Sequence, residues 1–108
     1  MSFEDLLKEI QGIKCQVRTA EEDYLEVVVQ NNLLADMSTV LKKYFGEALK
    51  PEGRDASPEA KTYAEPYGGI MKNQTMYLHN SESTSEAAFL WPWGNGLSTT
   101  VKILKKAK

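Results

Sequence analysis

The side chains best suited to nucleophilic or acid–base chemistry are scarce in this chain, which has one histidine, His79, and one cysteine, Cys15. A Cys–His pair would require the fold to bring these two remote residues together. His79 alternates with Tyr77 on one side of a predicted strand, away from Leu78, which predicts a solvent-exposed imidazole. Cys15 alternates with aliphatic residues, a pattern typical of a buried, unreactive thiol. We therefore expect no catalytic residues.

Metal and phosphate sites are also not expected. One cysteine and one histidine cannot form a structural zinc site without two carboxylates at suitable spacing. The acidic run at residues 21–23 lacks the alternating oxygen ligands and the glycine of a calcium loop. Gly68 and Gly69 precede a predicted strand, not a helix, and lack the spacing of a phosphate-binding loop. The prediction is no metal and no cofactor.

Aromatic residues give the strongest indication of binding. Trp91 and Trp93 are two positions apart, so they share one face of a predicted strand. Pro92 between them cannot donate to a ladder, which predicts an edge strand or a bulge. Such a surface can bind a protein by stacking and burial, or both indoles can complete the core. The predicted interface consists of Tyr63, Tyr67, Gly68, Gly69, Trp91 and Trp93.

A second hypothesis places a small-ligand or enzyme pocket between the sheet and residues 50–66. Its polar groups would be Tyr77, His79 and Glu26, together with Tyr67. A closed pocket with converging polar groups would favour this alternative, and an exposed tryptophan surface would favour protein binding.

The elements that must position these residues begin with an amphipathic helix. Ser2 and Asp5 resemble a capping box, and apolar residues follow at helical spacing up to Gly12. Two strands of a hairpin follow, and the second has Leu25, Val27 and Val29 facing the predicted core.

A second helix shows the clearest pattern in the chain. Asn31 or Asn32 is the predicted N-cap, and the helix ends at Gly46 or continues to Leu49. Its apolar stripe consists of Leu33, Leu34, Met37, Val40, Leu41, Tyr44 and Phe45.

Residues 50–66 contain three of the four prolines and no periodic apolar pattern, so we expect a mobile loop. One helical turn starting at Ser57-Pro58 is an open alternative within it. A third strand near residues 70–80 and a closing hairpin complete the element order α-β-β-α-loop-β-β-β. The prediction is an α+β two-layer sandwich of about five mainly antiparallel strands, with two helices on one face. We expect a single domain over residues 1–108, with a fraying tail at 105–108.

Composition limits the class of partner. The net charge is −2, and no arginine follows Arg54, which argues against a nucleic-acid partner. The N-terminus is acidic, and no apolar run is long enough to cross a membrane. A lone cysteine is typical of a reducing compartment, so we expect a cytoplasmic protein. The prediction is a non-catalytic binding or assembly module with a protein partner, which includes a homodimer.

Overall fold

The chain folds around one antiparallel sheet, and the computed structural model describes residues 1–108. Its strands are β1 (Gln16–Glu21), β2 (Tyr24–Gln30), β3 (Thr75–Asn80), β4 (Thr84–Pro92) and β5 (Ser98–Ala107). They lie in the spatial order β1-β2-β5-β4-β3, so β1 and β3 are the two edges. Every neighbouring pair is antiparallel, which fits the short hairpins that connect most of the strands.

Two amphipathic helices, α1 (Phe3–Gly12) and α2 (Leu34–Phe45), cover one face of the sheet, called here the α1/α2 face. The predicted capping box is present, because the main-chain N–H of Asp5 donates to the Ser2 hydroxyl and that of Ser2 donates to the Asp5 carboxylate. α2 ends before Gly46, which adopts a φ of 82° that favours glycine. The α+β prediction is thus confirmed, including five antiparallel strands and both predicted helices on one face.

The start of α2 differs from the prediction that Asn31 or Asn32 caps it. A 3-10 turn over residues 31–33 precedes α2, which has no side-chain cap. The Asn31 amide instead donates to the carbonyl oxygen of Gly96 at 2.9 Å and accepts from the Thr99 hydroxyl at 2.7 Å. This side chain therefore ties the start of α2 to the turn between β4 and β5.

The larger core lies on the α1/α2 face. Leu25, Val27 and Val29 of β2 are fully buried there, as the alternating pattern predicts. They pack against the apolar stripes of both helices, which short helices need for stability. The buried residues of this core are Phe3, Leu6, Leu7, Ile10, Leu25, Val27, Val29, Met37, Leu41, Tyr77, Ala88, Leu90, Val101 and Ile103.

A third helix, α3 (Pro58–Ala64), lies on the opposite side of the sheet, called here the α3 face. It begins at the proline that the sequence offered as a helix start, with Ser57 as N-cap. The Ser57 hydroxyl accepts the main-chain N–H of Ala60 at 3.2 Å. The α3 face therefore gains a layer that the prediction of two helices did not include.

Residues 50–66 are expected from the sequence to form an irregular loop, but residues 58–64 of this segment form the helix α3. Ala60 and Ala64 are one helical turn apart and fully buried, in the same cluster as Phe89 of β4. Two small residues give little apolar periodicity, but they let a helix approach a sheet closely. Whether residues 50–66 are mobile in solution stays a prediction.

β4 is an interior strand, which corrects the prediction that Pro92 marks an edge strand or a bulge. β4 pairs with β3 as far as Leu90 and with β5 as far as Pro92, without a shift in register. Pro92 therefore lies beyond the end of β3, where its missing N–H interrupts no ladder. The last residues of β4 form a local edge inside the sheet.

The chain end and the helix lengths complete the description. β5 continues through most of the predicted fraying tail, and the main-chain N–H of Lys108 donates to the carbonyl oxygen of Ser83 at 2.9 Å. None of the helices has the length and apolar character needed to cross a membrane.

Candidate functional site

Trp91 lies near the end of β4 that extends past β3, and Trp93 directly follows that strand. The Trp93 indole is held by a hydrogen bond from its Nε1 to the Thr100 hydroxyl at 2.8 Å. Its main-chain N–H donates to the carbonyl oxygen of Ser98, also at 2.8 Å. Trp93 nevertheless remains 38% exposed and is the more exposed of the two tryptophans. The result is a fixed aromatic ring that faces solvent.

A groove of about 380 Å³ lies beside this ring, where β2 ends and β5 begins. We call it the Trp93 groove, and its lining is half apolar and half polar. The apolar residues are Cys15, Val28, Leu33 and Trp93, and the polar ones are Lys14, Gln16, Gln30 and Ser98. An open groove of this kind can take an apolar side chain with a polar neighbour from a protein partner.

Trp91 is half-buried and has a packing role. Its ring lies between Phe89, at 6.1 Å between centroids, and the Lys102 ammonium, at 3.9 Å from the ring centroid. The Lys102 contact is a cation–π interaction. The Trp91 Nε1 is buried without a hydrogen-bond partner. Trp91 therefore connects the α3 core to the exposed end of the sheet.

Tyr63 and Tyr67 extend the same row of aromatic rings. The Tyr63 and Tyr67 rings are 5.9 Å apart, and Tyr67 lies 5.9 Å from Phe89. The Tyr63 hydroxyl is hydrogen-bonded to that of Ser85 at 3.0 Å, and burial raises the pKa of Tyr63. Both tyrosines are half-buried, so they hold the α3 segment on the sheet rather than forming an open platform.

Gly68 and Gly69 end the helical segment. Their φ angles are 105° and 84°, and the Gly69 N–H donates to the carbonyl oxygen of Ala64 at 2.9 Å. A Cβ on Gly68 would lie 3.5 Å from the Trp91 ring, which is an ordinary contact. The requirement for glycine here therefore comes from the backbone conformation.

The aromatic residues of the predicted interface are thus assembled in one row along the α3 face, with different exposures. Trp93 alone among them is an exposed large apolar residue. α3 covers only part of this face, because its residues pack with β3, β4 and the end of β5. The part toward β1 stays uncovered, and there Val28 of β2 lines the open groove.

The residues of the alternative pocket do not converge. Tyr77 is buried in the α1/α2 core, and His79 is exposed farther along β3 on the same face. Glu26 lies on the other face of β2, where it accepts the Tyr24 hydroxyl at 2.8 Å and lies 3.9 Å from the Lys102 ammonium. Burial, and then the bond to Glu26, raises the pKa of Tyr24.

The structure adds a polar cluster that the sequence reasoning missed. The buried Glu86 carboxylate accepts the Tyr44 hydroxyl at 2.7 Å and lies 3.2 Å from Nδ1 of His79. Burial, and then the bond to Glu86, raises the pKa of Tyr44. His79 pairs directly with Glu86 across the β3–β4 hairpin, so this contact depends on a strand register that the sequence pattern did not define.

Cys15 is less buried than the alternating pattern predicts, and it lines the Trp93 groove. It is half-buried, with Sγ 3.9 Å from the carbonyl oxygen of Ile10, and burial raises its pKa. A raised pKa lowers the thiolate fraction at neutral pH. The structure holds no cluster of three or more histidine, cysteine, aspartate or glutamate side chains placed to bind a metal ion.

Comparison with known proteins does not assign the chain to a family. No family model matches it, and neither a curated protein nor a solved structure matches it. Function is therefore inferred from the geometry of the site alone.

Proposed function

We propose that this protein is a non-catalytic assembly module that binds a protein chain, a second copy or a different protein, through the Trp93 groove. The observation that carries this proposal is the state of Trp93, which is 38% exposed yet held by two hydrogen bonds. A large aromatic ring that is already ordered loses little conformational entropy when a partner covers it. Tryptophan is also among the residue types that contribute most to binding energy at interfaces.

The chemistry of the groove supports a protein partner. Its lining combines Val28 and Leu33 with amide side chains, and Lys14 is its single charged residue. A nucleic acid would require several clustered cations to follow its phosphates, and the chain as a whole is acidic. We also propose a cytoplasmic location without a membrane partner, because a chain with one cysteine forms no internal disulfide and none of its helices can cross a membrane.

The alternative, a small-ligand binder or small enzyme with a pocket under residues 50–66, has less support. The space between α3 and the sheet is filled by the fully buried Ala60, Ala64, Met76 and Phe89. Two depressions that include Tyr63 lie where α3 meets the ends of β3 and β5, and both are open to solvent. The polar residues named for that pocket also lie on opposite faces of the sheet.

Two measurements on the Trp93→Ala variant test the proposal. Self-association is followed by analytical ultracentrifugation over a range of concentrations. Binding to a different protein is followed with peptides selected from a displayed library on the wild-type chain. We expect Trp93→Ala to weaken at least one of these associations by about 2 kcal/mol or more. Leu97→Ala is the matched control, because Leu97 is 69% exposed in the same turn and does not line the groove.

The proposal is wrong if Trp93→Ala remains folded and neither association changes. It is also wrong if the wild-type chain neither self-associates nor selects any peptide.

A further inference from the structure

The two edges of the sheet differ in how their main-chain groups are used. On the β3 edge, Lys50 and Met76 exchange two main-chain hydrogen bonds, at 3.0 and 3.1 Å. The buried Lys50 ammonium also donates to the carbonyl oxygens of Lys72 and Gln74, just before β3 begins. The start of this edge is therefore paired by the chain itself, whereas residues 77–80 make no further main-chain bond on that side.

The β1 edge is open. β1 pairs with β2 on one side, and no other hydrogen bond in the structure involves residues 16–21. Its residues are mostly exposed, and Val17 exposes 45% of its surface. A strand edge of this kind is a template for pairing with another strand. The bulge between Val17 and Thr19 limits how far a regular ladder can extend.

Charge is distributed unevenly along β1 and its flanks. Lys14 and Arg18 make the N-terminal half basic, whereas Glu21, Glu22 and Asp23 make the C-terminal half acidic. All five side chains are exposed, and none of them forms an ion pair within the chain. A second β1 strand that runs antiparallel to the first therefore has its acidic half next to the basic half of the first.

We propose that a second copy of this chain binds at the β1 edge, by antiparallel pairing of the two β1 strands about a two-fold axis. The inference rests on the assembly role proposed above and names its partner. Antiparallel pairing places the basic half of one strand against the acidic half of the other. A two-fold axis makes each contact occur twice, which is the usual arrangement in a homodimer.

The position of the axis follows from the charges. An axis near the middle of β1 brings Arg18 of one copy diagonal to Glu21 of the second copy, within reach of long side chains. The same axis brings Val17 next to Ala20 of the second copy, so that two exposed apolar side chains are covered. Because such an axis is perpendicular to the sheet, both Trp93 grooves lie on one face of the continuous sheet. Gln16 lines the groove and also belongs to β1, so each groove adjoins the interface.

Reciprocal charge reversal tests this interface. Arg18→Glu leaves only acidic charges within β1. Glu21→Arg leaves only basic charges within β1. Each variant alone meets like charges in its own dimer, at two symmetric places. We expect each to raise the dimer dissociation constant at least about tenfold in sedimentation measurements. An equimolar mixture restores opposite charges on both sides, so we expect a heterodimer with an affinity close to that of the wild type.

The controls separate this effect from net charge and from folding. Arg54→Glu and Glu52→Arg make the same changes in net charge at exposed positions away from β1, and we expect wild-type association from both. Circular dichroism checks that every variant is folded. Arg18 and Glu21 do not line the Trp93 groove, so their variants leave it intact.

A wild-type chain that remains a monomer at high micromolar concentration would overturn the inference. Dimers that persist in both single variants, or a mixture that fails to restore association, would also overturn it. The Trp93→Ala variant and the charge variants distinguish failure of the proposed function from failure of this inference. If Trp93→Ala abolishes the dimer and the charge variants do not, the second copy binds at the Trp93 groove instead of β1. If the charge variants alone abolish it, β1 is the interface and the groove must bind a different chain, which the peptide selection tests.

Discussion

Fourteen buried residues form one core on the α1/α2 face, whereas six form the core on the α3 face. On the first face, two helices of ten and twelve residues supply long aliphatic side chains. On the second, a seven-residue helix supplies two alanines, and half-buried aromatic rings fill the remaining space. The first face is therefore covered by two helices, whose aliphatic and aromatic side chains fill its core. The second face changes from a core under α3 to an exposed groove along the same strands.

Residues in β4 and directly after it contribute in different ways, some to the stability of the core and some to the surface that we propose binds a partner. Leu90 of β4 is buried on the α1/α2 face, and its neighbours Phe89 and Trp91 point to the α3 face. Moving from Phe89 through Trp91 to Trp93, exposure increases from fully buried to 38%. A single row of rings thus begins in the core and ends at the surface that we propose binds a partner.

The largest effect is expected on the α1/α2 face. Leu41 is fully buried in the middle of α2, so Leu41→Ala removes packing and leaves a cavity. We expect a loss of about 2–5 kcal/mol in the free energy of unfolding, measured by urea denaturation. Leu97→Ala, at an exposed position, should change it by less than about 0.5 kcal/mol. If both substitutions lowered the free energy of unfolding equally, Leu41 would not be a core residue.

A smaller effect is expected where α3 meets the sheet. Ala60 is fully buried, so Ala60→Leu should overpack this contact and cost about 1–3 kcal/mol in unfolding free energy. Thr62→Leu, on the exposed side of the same helix, is the matched control. Amide exchange adds an independent measurement, since a docked α3 should be protected. If Ala60→Leu has no effect and α3 exchanges freely, the segment is mobile, as the sequence predicts, and the α3 face is open.

The turn after α3 should show a smaller effect again. Gly68 has a φ of 105°, which an alanine adopts at a cost of about 1–2 kcal/mol. Gly68→Ala should lower the unfolding free energy by this amount, measured by urea denaturation. Gly12→Ala is the control, because Gly12 ends α1 without a positive φ and has open space around it. A stability equal to that of the wild type in Gly68→Ala would mean that the turn adopts another conformation in solution.

The sequence predicts the closed face better than the open one. The stripes of α1 and α2 and the alternation of β2 are local patterns, and they place Leu41 and Val27 in the core. α3 has no such pattern, because Ala60 and Ala64 carry little hydrophobic signal and their burial depends on the remote Phe89. Pairing of β4 on both sides likewise depends on where β3 ends, which Pro92 alone does not reveal.

The sequence likewise predicts one part of the candidate site, the tryptophans, and does not predict the groove beside Trp93. The shared face of Trp91 and Trp93 follows from their spacing of two residues, whereas Pro92 wrongly indicated an edge strand or a bulge. The groove beside Trp93 also needs Val28 and Ser98, which come from strands that meet only in the folded sheet. The bond between Tyr44 and Glu86 is equally non-local, since it joins α2 to β4.

We propose that the exposed end of the α3 face serves binding rather than folding. The most direct test of this claim measures, on the same Trp93→Ala sample, the free energy of unfolding and the association of the chain with itself and with the selected peptides. We expect a change of less than about 1 kcal/mol in unfolding free energy and a loss of at least about tenfold in affinity for one of these partners. A loss of about 3–5 kcal/mol in stability with unchanged affinities would show that Trp93 is a core residue, and would contradict the claim.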